Sequence, residues 1–240
     1  MLSADLYLLN TALVDTEQLI GLSSGLSPEE YRHWHEIRQP GRQREYLLGR
    51  VLLRRLLAER LHCPAGSLAF HIGEHGKPML CNHHWQFNLS HSGDWLVLAL
   101  CREGPLGVDI EMGLRRRPIL PLAERFYAPG EHQWLRTLPV QEQDSAFYRL
   151  WSRKEAVLKA HGAGIAAGLE KVCFLPEQGW RLENLLDTRI YEVSDWPIGR
   201  GWLSLAAPTR QVDAYLLDGS LKSTPLDPML IHTIFRESAS

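Results

Sequence analysis

The chain has 240 residues, of which 45% are hydrophobic and 22% charged, and its formal net charge is −2. That composition is ordinary for a soluble globular protein. It gives no global charge footprint for nucleic acid, and no run of 18 apolar residues is present to span a membrane. The length suits one large domain or two small ones, each able to bury a core.

Residues 1–20 lack a basic start followed by an unbroken apolar run, so no secretory signal is expected. The cysteines Cys63, Cys81, Cys101 and Cys173 form no CxxC pair, which fits reduced thiols in a cytoplasmic protein. Eight arginines fall between positions 32 and 60, among them Arg38, Arg44 and Arg50. They read either as solvated helix faces or as a local anion-binding surface. Residues 44–61 predict a helix whose apolar stripe holds Leu48, Val51, Leu52 and Leu56, stopped by Pro64 and Gly66. Short strands at 68–72 and 79–80 flank the turn Gly76-Lys77-Pro78.

Residues 95–101, WLVLALC, are a continuous apolar run and predict a strand buried on both faces. LGVDIE (106–111) follows the turn Glu103-Gly104-Pro105, so an antiparallel hairpin is expected. Leu106, Val108 and Ile110 alternate with Gly107, Asp109 and Glu111, giving one apolar face and one that carries two carboxylates. Residues 120–137 predict helix broken at Pro129-Gly130. A second strong helix covers 144–161, with Asp144 as N-cap and Gly162 as its stop. Strands fill the chain to about 218, and 219–240 read as a loosely attached tail. Trp95-Leu-Val-Leu-Ala resembles Trp202-Leu-Ser-Leu-Ala, a hint of two related α+β halves.

Three segments break the pattern of a plain core. One is the acid pair Asp109/Glu111. Another is the 144–161 helix, where Lys154 occupies a position that its stripe (Phe147, Leu150, Trp151, Leu158) reserves for an apolar residue, next to Glu155 and one turn before Lys159. The third is Phe87-Asn88-Leu89-Ser90-His91-Ser92-Gly93. Read singly, each has an ordinary explanation: solvated surface, an exposed ion-pair ladder, a structural histidine. Together they suit a Mg²⁺ ion, a hard cation that usually takes one or two carboxylates plus phosphate oxygens and water, with lysines and a polar loop around a pyrophosphate. The soft ligands Cys63, His71, His75, Cys81, His83 and His84 match no compact zinc spacing.

Gly107-Val108-Asp109-Ile110-Glu111 and Trp151-Ser152-Arg153-Lys154-Glu155-Ala156-Val157-Leu158-Lys159 resemble the two-part signature of the 4′-phosphopantetheinyl transferases. Gly76-Lys77-Pro78 and Phe87–Ser92 resemble further family motifs, and the likeness covers roughly positions 40–165. The length resembles the Sfp-type, pseudo-dimeric subfamily. The resemblance implies an α+β fold of two similar halves related by a pseudo-twofold, divided near 105 (1–105 and 106–220, with 221–240 a tail), and an active site between them. It implies transfer of the 4′-phosphopantetheine arm of coenzyme A to a serine of an apo acyl or peptidyl carrier protein, by a monomer, with release of 3′,5′-ADP. It further implies that Asp109, Glu111 and Glu155 hold Mg²⁺, with Glu155 the foremost candidate base and Asp109 or Glu111 acting through water as the alternative. Lys154 and Lys159 would neutralise phosphate, Ser90, His91 and Lys77 would contact coenzyme A, and Arg44 and Arg50 would meet its 3′-phosphate. A nuclease would instead place its acids and lysine on a strand beside a broad basic surface. A module that only binds coenzyme A or a carrier would not need a third carboxylate.

Overall fold

The computed structural model describes residues 2–73, 76–113, 117–176 and 179–235; His75, and Arg115 and Arg116 of the basic run 115–117, lie outside them. The chain runs through β1 (Ala4–Asn10), α1 (Thr16–Leu22), α2 (Pro28–Glu36), α3 (Pro40–Leu61), β2 (Phe70–Ile72), β3 (Pro78–Leu80), β4 (Gln86–Ser92) and β5 (Trp95–Cys101). It continues through β6 (Gly107–Glu111), α4 (Ile119–Phe126), α5 (Pro129–Thr137), α6 (Val140–His161), β7 (Val172–Leu175), β8 (Arg181–Asn184), β9 (Glu192–Ile198), β10 (Gly201–Ala207), β11 (Val212–Leu217), β12 (Ser223–Leu226) and α7 (Ile231–Ile234).

The two long helices have local causes. Pro40 stands in the first turn of α3, where a missing N–H removes no hydrogen bond, and left-handed His62 (φ 52°) closes the helix. α6 starts at Val140, directly after Pro139. Asp144 is therefore inside the helix and is not its N-cap. Gly162, at φ 97°, donates its N–H to the Leu158 carbonyl at 2.9 Å and ends α6 as expected.

The halves repeat one arrangement. β5 pairs antiparallel with β1 and β4 and is covered by α3, while β10 pairs antiparallel with β6 and β9 and is covered by α6. The two related Trp-Leu-x-Leu-Ala stretches start the central strand of each unit, so the duplication read in the sequence is real. The sheets stack face to face between the helices in four layers. Leu96, Leu98 and Leu100 of β5 face α3. Val97 and Ala99, with Leu6 and Leu8, face Val108, Ile110, Leu203 and Leu205. The other side of the second sheet packs on Phe147, Ala156 and Val157 of α6. Each Leu or Val fully buried here contributes about 1.5–3 kcal/mol.

The expected hairpin and the expected loose tail are corrected. β5 and β6 form no hairpin, because β1 and β4 take both edges of β5 and the 102–106 link carries the chain into the other layer. Past residue 105 the chain also returns to the first sheet. β11 pairs parallel with β1 and β12 extends it, so the first sheet has the order β12-β11-β1-β5-β4. The tail is also packed as far as residue 235. Ile231 and Phe235 are buried, and the Phe235 ring lies 4.4 Å from that of Trp95.

Candidate active site

Gly107 lets the site form. A Cβ there would stand 2.0 Å from the Ala156 carbonyl oxygen and 2.4 Å from the Ala160 nitrogen, far inside van der Waals contact. Only glycine lets α6 lie on β6 closely enough to set Glu155 and Lys159 beside Asp109.

The seam between the halves is closed by side chains. β4 presents Asn88, Ser90 and Ser92 toward β6. Asn88 Oδ1 accepts from Val108 N (2.8 Å), Ser90 Oγ from Ile110 N (3.3 Å) and Ser92 Oγ from Met112 N (3.1 Å). Three polar side chains at period two thus stand in for a backbone ladder and fix the height of β6. Asn88, Ser90 and Ser92 alternate with Phe87 and Leu89 next to the buried strand, which is the sequence signal for this role.

The acids gather where the seam meets α6. Asp109 is 5% exposed. Its Oδ1 accepts from Lys159 Nζ (2.6 Å) and Ser90 Oγ (3.1 Å), whereas its Oδ2 is buried without a hydrogen-bond partner. Lys159 also donates to Ser90 Oγ at 3.0 Å. Glu155 is buried, and its carboxyl is pushed up to about 7, chiefly by burial, then by the Asp109 charge and by Glu111, with Lys159 opposing. Glu111 lies 3.9 Å from the Arg117 guanidinium. The three acids thus feel one another across a shared space. Among the described residues, no three His, Cys, Asp or Glu side chains are drawn together as tightly as a finished metal site. The oxygens open to a cation are the unpartnered Oδ2 of Asp109 and the repelling carboxylate of Glu155, with Glu111 at the rim.

The structure does not bring every predicted residue to this point. Lys154 is a correction: it is 0% exposed, bonded to Glu131 Oε2 (2.6 Å) and to the carbonyls of Leu169 (3.0 Å) and Val172 (2.5 Å). All three of its protons are engaged on the far side of α6, so this lysine belongs to the core stripe that it interrupts. Its partner Glu131 also accepts from Phe174 N and Ala128 N. Lys77 donates to the carbonyls of Leu106 (2.8 Å) and Lys159 (3.0 Å), caps the end of α6, and is lowered to about 8 by burial and then by Arg189. Arg44 is held by the Thr11 and Val14 carbonyls. The Ser90 hydroxyl is buried under Asp109 and already filled. These three side chains thus each make structural contacts within the chain.

Arg50 stacks on Tyr46 and Phe70 and sits 3.8 Å from Glu30. It lines a cleft of about 240 Å³ with Tyr46, Lys77, Pro78 and Leu89. His91 is half exposed, 3.4 Å from Glu45. It lines a second cleft, about 510 Å³, that also reaches Arg42, Ser92, Glu111, Arg117 and Tyr148. Arg42 and Tyr148 are not marked as site residues by the sequence. Arg42 was one of eight arginines without distinction, and Tyr148 is signalled only by lying one turn past Asp144 on the helix that bears Glu155.

Two family models match the chain in succession: "4'-phosphopantetheinyl transferase, N-terminal" over residues 15–103 and "4'-phosphopantetheinyl transferase superfamily" over 105–218. A Synechocystis sp. protein assigned as a 4′-phosphopantetheinyl transferase is 34% identical over 219 residues, 83% of this chain and 86% of its own. The 4′-phosphopantetheinyl transferase HetI of Nostoc sp. is 34% identical over 69% of this chain and 72% of its own. Sfp of Bacillus subtilis is 33% identical over 61% and 65%. Motifs, repeated halves and whole-length likeness agree that the chain belongs to the 4′-phosphopantetheinyl transferases, and among them to the Sfp type.

Proposed function

We propose that this enzyme, acting as a monomer, moves the 4′-phosphopantetheine arm of coenzyme A onto a serine of an apo acyl or peptidyl carrier protein and releases 3′,5′-ADP. The observation that carries the reading is the meeting of Asp109, Glu155 and Lys159 at the seam, with one buried carboxylate oxygen left unpartnered. Hard oxygen donors that repel one another fit Mg²⁺, which Asp109, Glu111 and Glu155 would hold. Bound there, the ion would supply charge for the pyrophosphate and its departing oxygen.

The chain's own groups have separable tasks. Glu155 takes the proton from the carrier serine hydroxyl, directly or through a water, with Asp109 or Glu111 acting through water as the alternative. As the serine oxygen bonds to the phosphorus that carries the pantetheine arm, the anhydride P–O bond breaks and its electrons leave with 3′,5′-ADP. Lys159 balances charge on the phosphates from its seat on Asp109. The cleft at Tyr46 and Arg50 suits a flat base, and Arg42 and His91 at its neighbour suit the 3′-phosphate, where a guanidinium fork binds well.

The test is label transfer from coenzyme A carrying radiolabelled pantetheine to a panel of apo carriers, with Mg²⁺ or with EDTA. Transfer is expected only with Mg²⁺ and is abolished in Asp109→Ala with the fold intact. Full activity of that variant, or in EDTA, would overturn the assignment.

A further inference from the structure

A large cleft lies away from the acids. It holds about 940 Å³, and residues 191–196, most of them on β9, form its floor. β9 is the outer strand of the second sheet, at the opposite edge from β6. The cross-strand row Asp109–Ser204–Asp195 puts two strand spacings, about 10 Å, between this edge and the acids.

The edge is open. Pro197 has no N–H, and a proline in an edge strand turns its nitrogen outward. By period two, Val193 and Asp195 then also direct N–H and C=O away from β10. Beside this edge the charges do not balance. Arg149 and Arg153 share the single carboxylate of Asp195, at 2.5 and 3.3 Å. Arg153 is 5% exposed, and its Nε has no hydrogen-bond partner. Arg210 is matched by Glu192 at 2.6 Å, and Arg181 adds another positive charge at the rim. Trp180 lines the wall in the left-handed region at φ 65°, a strained position for a bulky side chain. Pro228 and the exposed Met229 form an apolar lip.

We infer that this cleft binds an extended acidic polypeptide segment, which adds as a strand to the outer edge of β9 and sets its carboxylates against Arg153 and Arg181. Main-chain bonds to Val193 and Asp195 supply affinity and the arginines supply selectivity, as in other strand-addition sites.

The test uses the full chain and a fluorescein-labelled eight-residue peptide of alternating glutamate and valine, read by anisotropy. Saturable binding is expected, about tenfold tighter than for the same peptide with lysine in place of glutamate. Arg181→Glu, at an exposed position, should weaken it by about tenfold. Val193→Pro removes an outward N–H without touching the ladder to β10 and should do the same. No saturable binding, or equal binding by Arg181→Glu, would overturn the proposal. So would undiminished binding by folded Val193→Pro, or full displacement by millimolar sulfate, which would make the cleft a small-anion site.

Discussion

Glu155 should lower the stability of the metal-free protein above neutral pH. Its carboxyl is raised to about 7 from an ordinary 4.5 by burial, Asp109 and Glu111. The folded chain therefore holds this proton more tightly than the unfolded chain does. The stability this provides is complete below about pH 4.5, falls as pH rises through 7, and is absent above. At about 1.36 kcal/mol for each pH unit of difference, the span amounts to about 3 kcal/mol. Glu155→Gln keeps the shape and removes the charge. Urea unfolding in EDTA should find the variant about 3 kcal/mol more stable than wild type at pH 8 and nearly equal at pH 4.5, while label transfer is lost. Adding Mg²⁺ at pH 8 should recover wild type and leave the variant unmoved. An equal difference at both pH values, or none at pH 8, would refute the claim that the folded chain holds the Glu155 proton more tightly than the unfolded chain.

Lys154→Met should lower stability by about 3–5 kcal/mol, because Glu131 is left charged and buried. Adding Glu131→Gln should recover part of it, and kcat of the folded variants should stay near wild type. A collapse of kcat at unchanged melting would instead put this ammonium in the chemistry. Gly107→Ala should destabilise by about 1–3 kcal/mol and reduce kcat as α6 is pushed off β6; a silent substitution would mean that the close approach is unimportant. Phe235→Ala should lower stability by about 3–5 kcal/mol, and an unshifted denaturation midpoint would return residues beyond 230 to a loose tail. Ser90→Ala and Ser92→Ala strip the acceptors from Ile110 N–H in β6 and Met112 N–H just past it, each at about 1–3 kcal/mol. Only Ser90→Ala should also reduce kcat, since Ser92 makes no contact with Asp109 or Lys159; equal kinetic effects would show the whole seam acting as one.

The repeated halves and the acid site were legible in the sequence because each rests on short, local patterns. A carboxylate pair on one face of LGVDIE and the spacing of Glu155 and Lys159 by four survive any rearrangement of the rest. Burial of β5 was legible for the same reason, since seven apolar residues in a row leave no wet face. Partners set by long-range topology were not legible. Whether β6 pairs with β5 depends on which strands already hold β5, and β1 with α1 and α2 passed unnoticed. Lys154 shows the boundary most sharply. Its break in the apolar stripe was visible, but Glu131 lies 23 residues earlier on α5, so nothing local told a buried clamp from a phosphate ligand. The C-terminal segment was misread on composition, although Ile231 and Phe235 carry its packing.

The two acids on one strand face are tolerated because the seam answers them from both sides. A backbone ladder between β4 and β6 would have used the N–H groups of 108, 110 and 112 and fused the two sheets into one. Side-chain acceptors from β4 satisfy the same groups at a greater strand separation, which leaves room for a charged cluster along the join. α6 supplies the other side. Gly107 brings it close, Lys159 reaches one oxygen of Asp109, and Lys77 from the first half fastens the end of the helix through the Lys159 carbonyl. One half thus sets the height of β6 and the other presents acid and ammonium, so neither half alone could hold the cluster. Duplication gives such a join at once, because two copies of a β–α–β–β unit packed sheet to sheet meet along strands whose sequences are then free to diverge into polar ones.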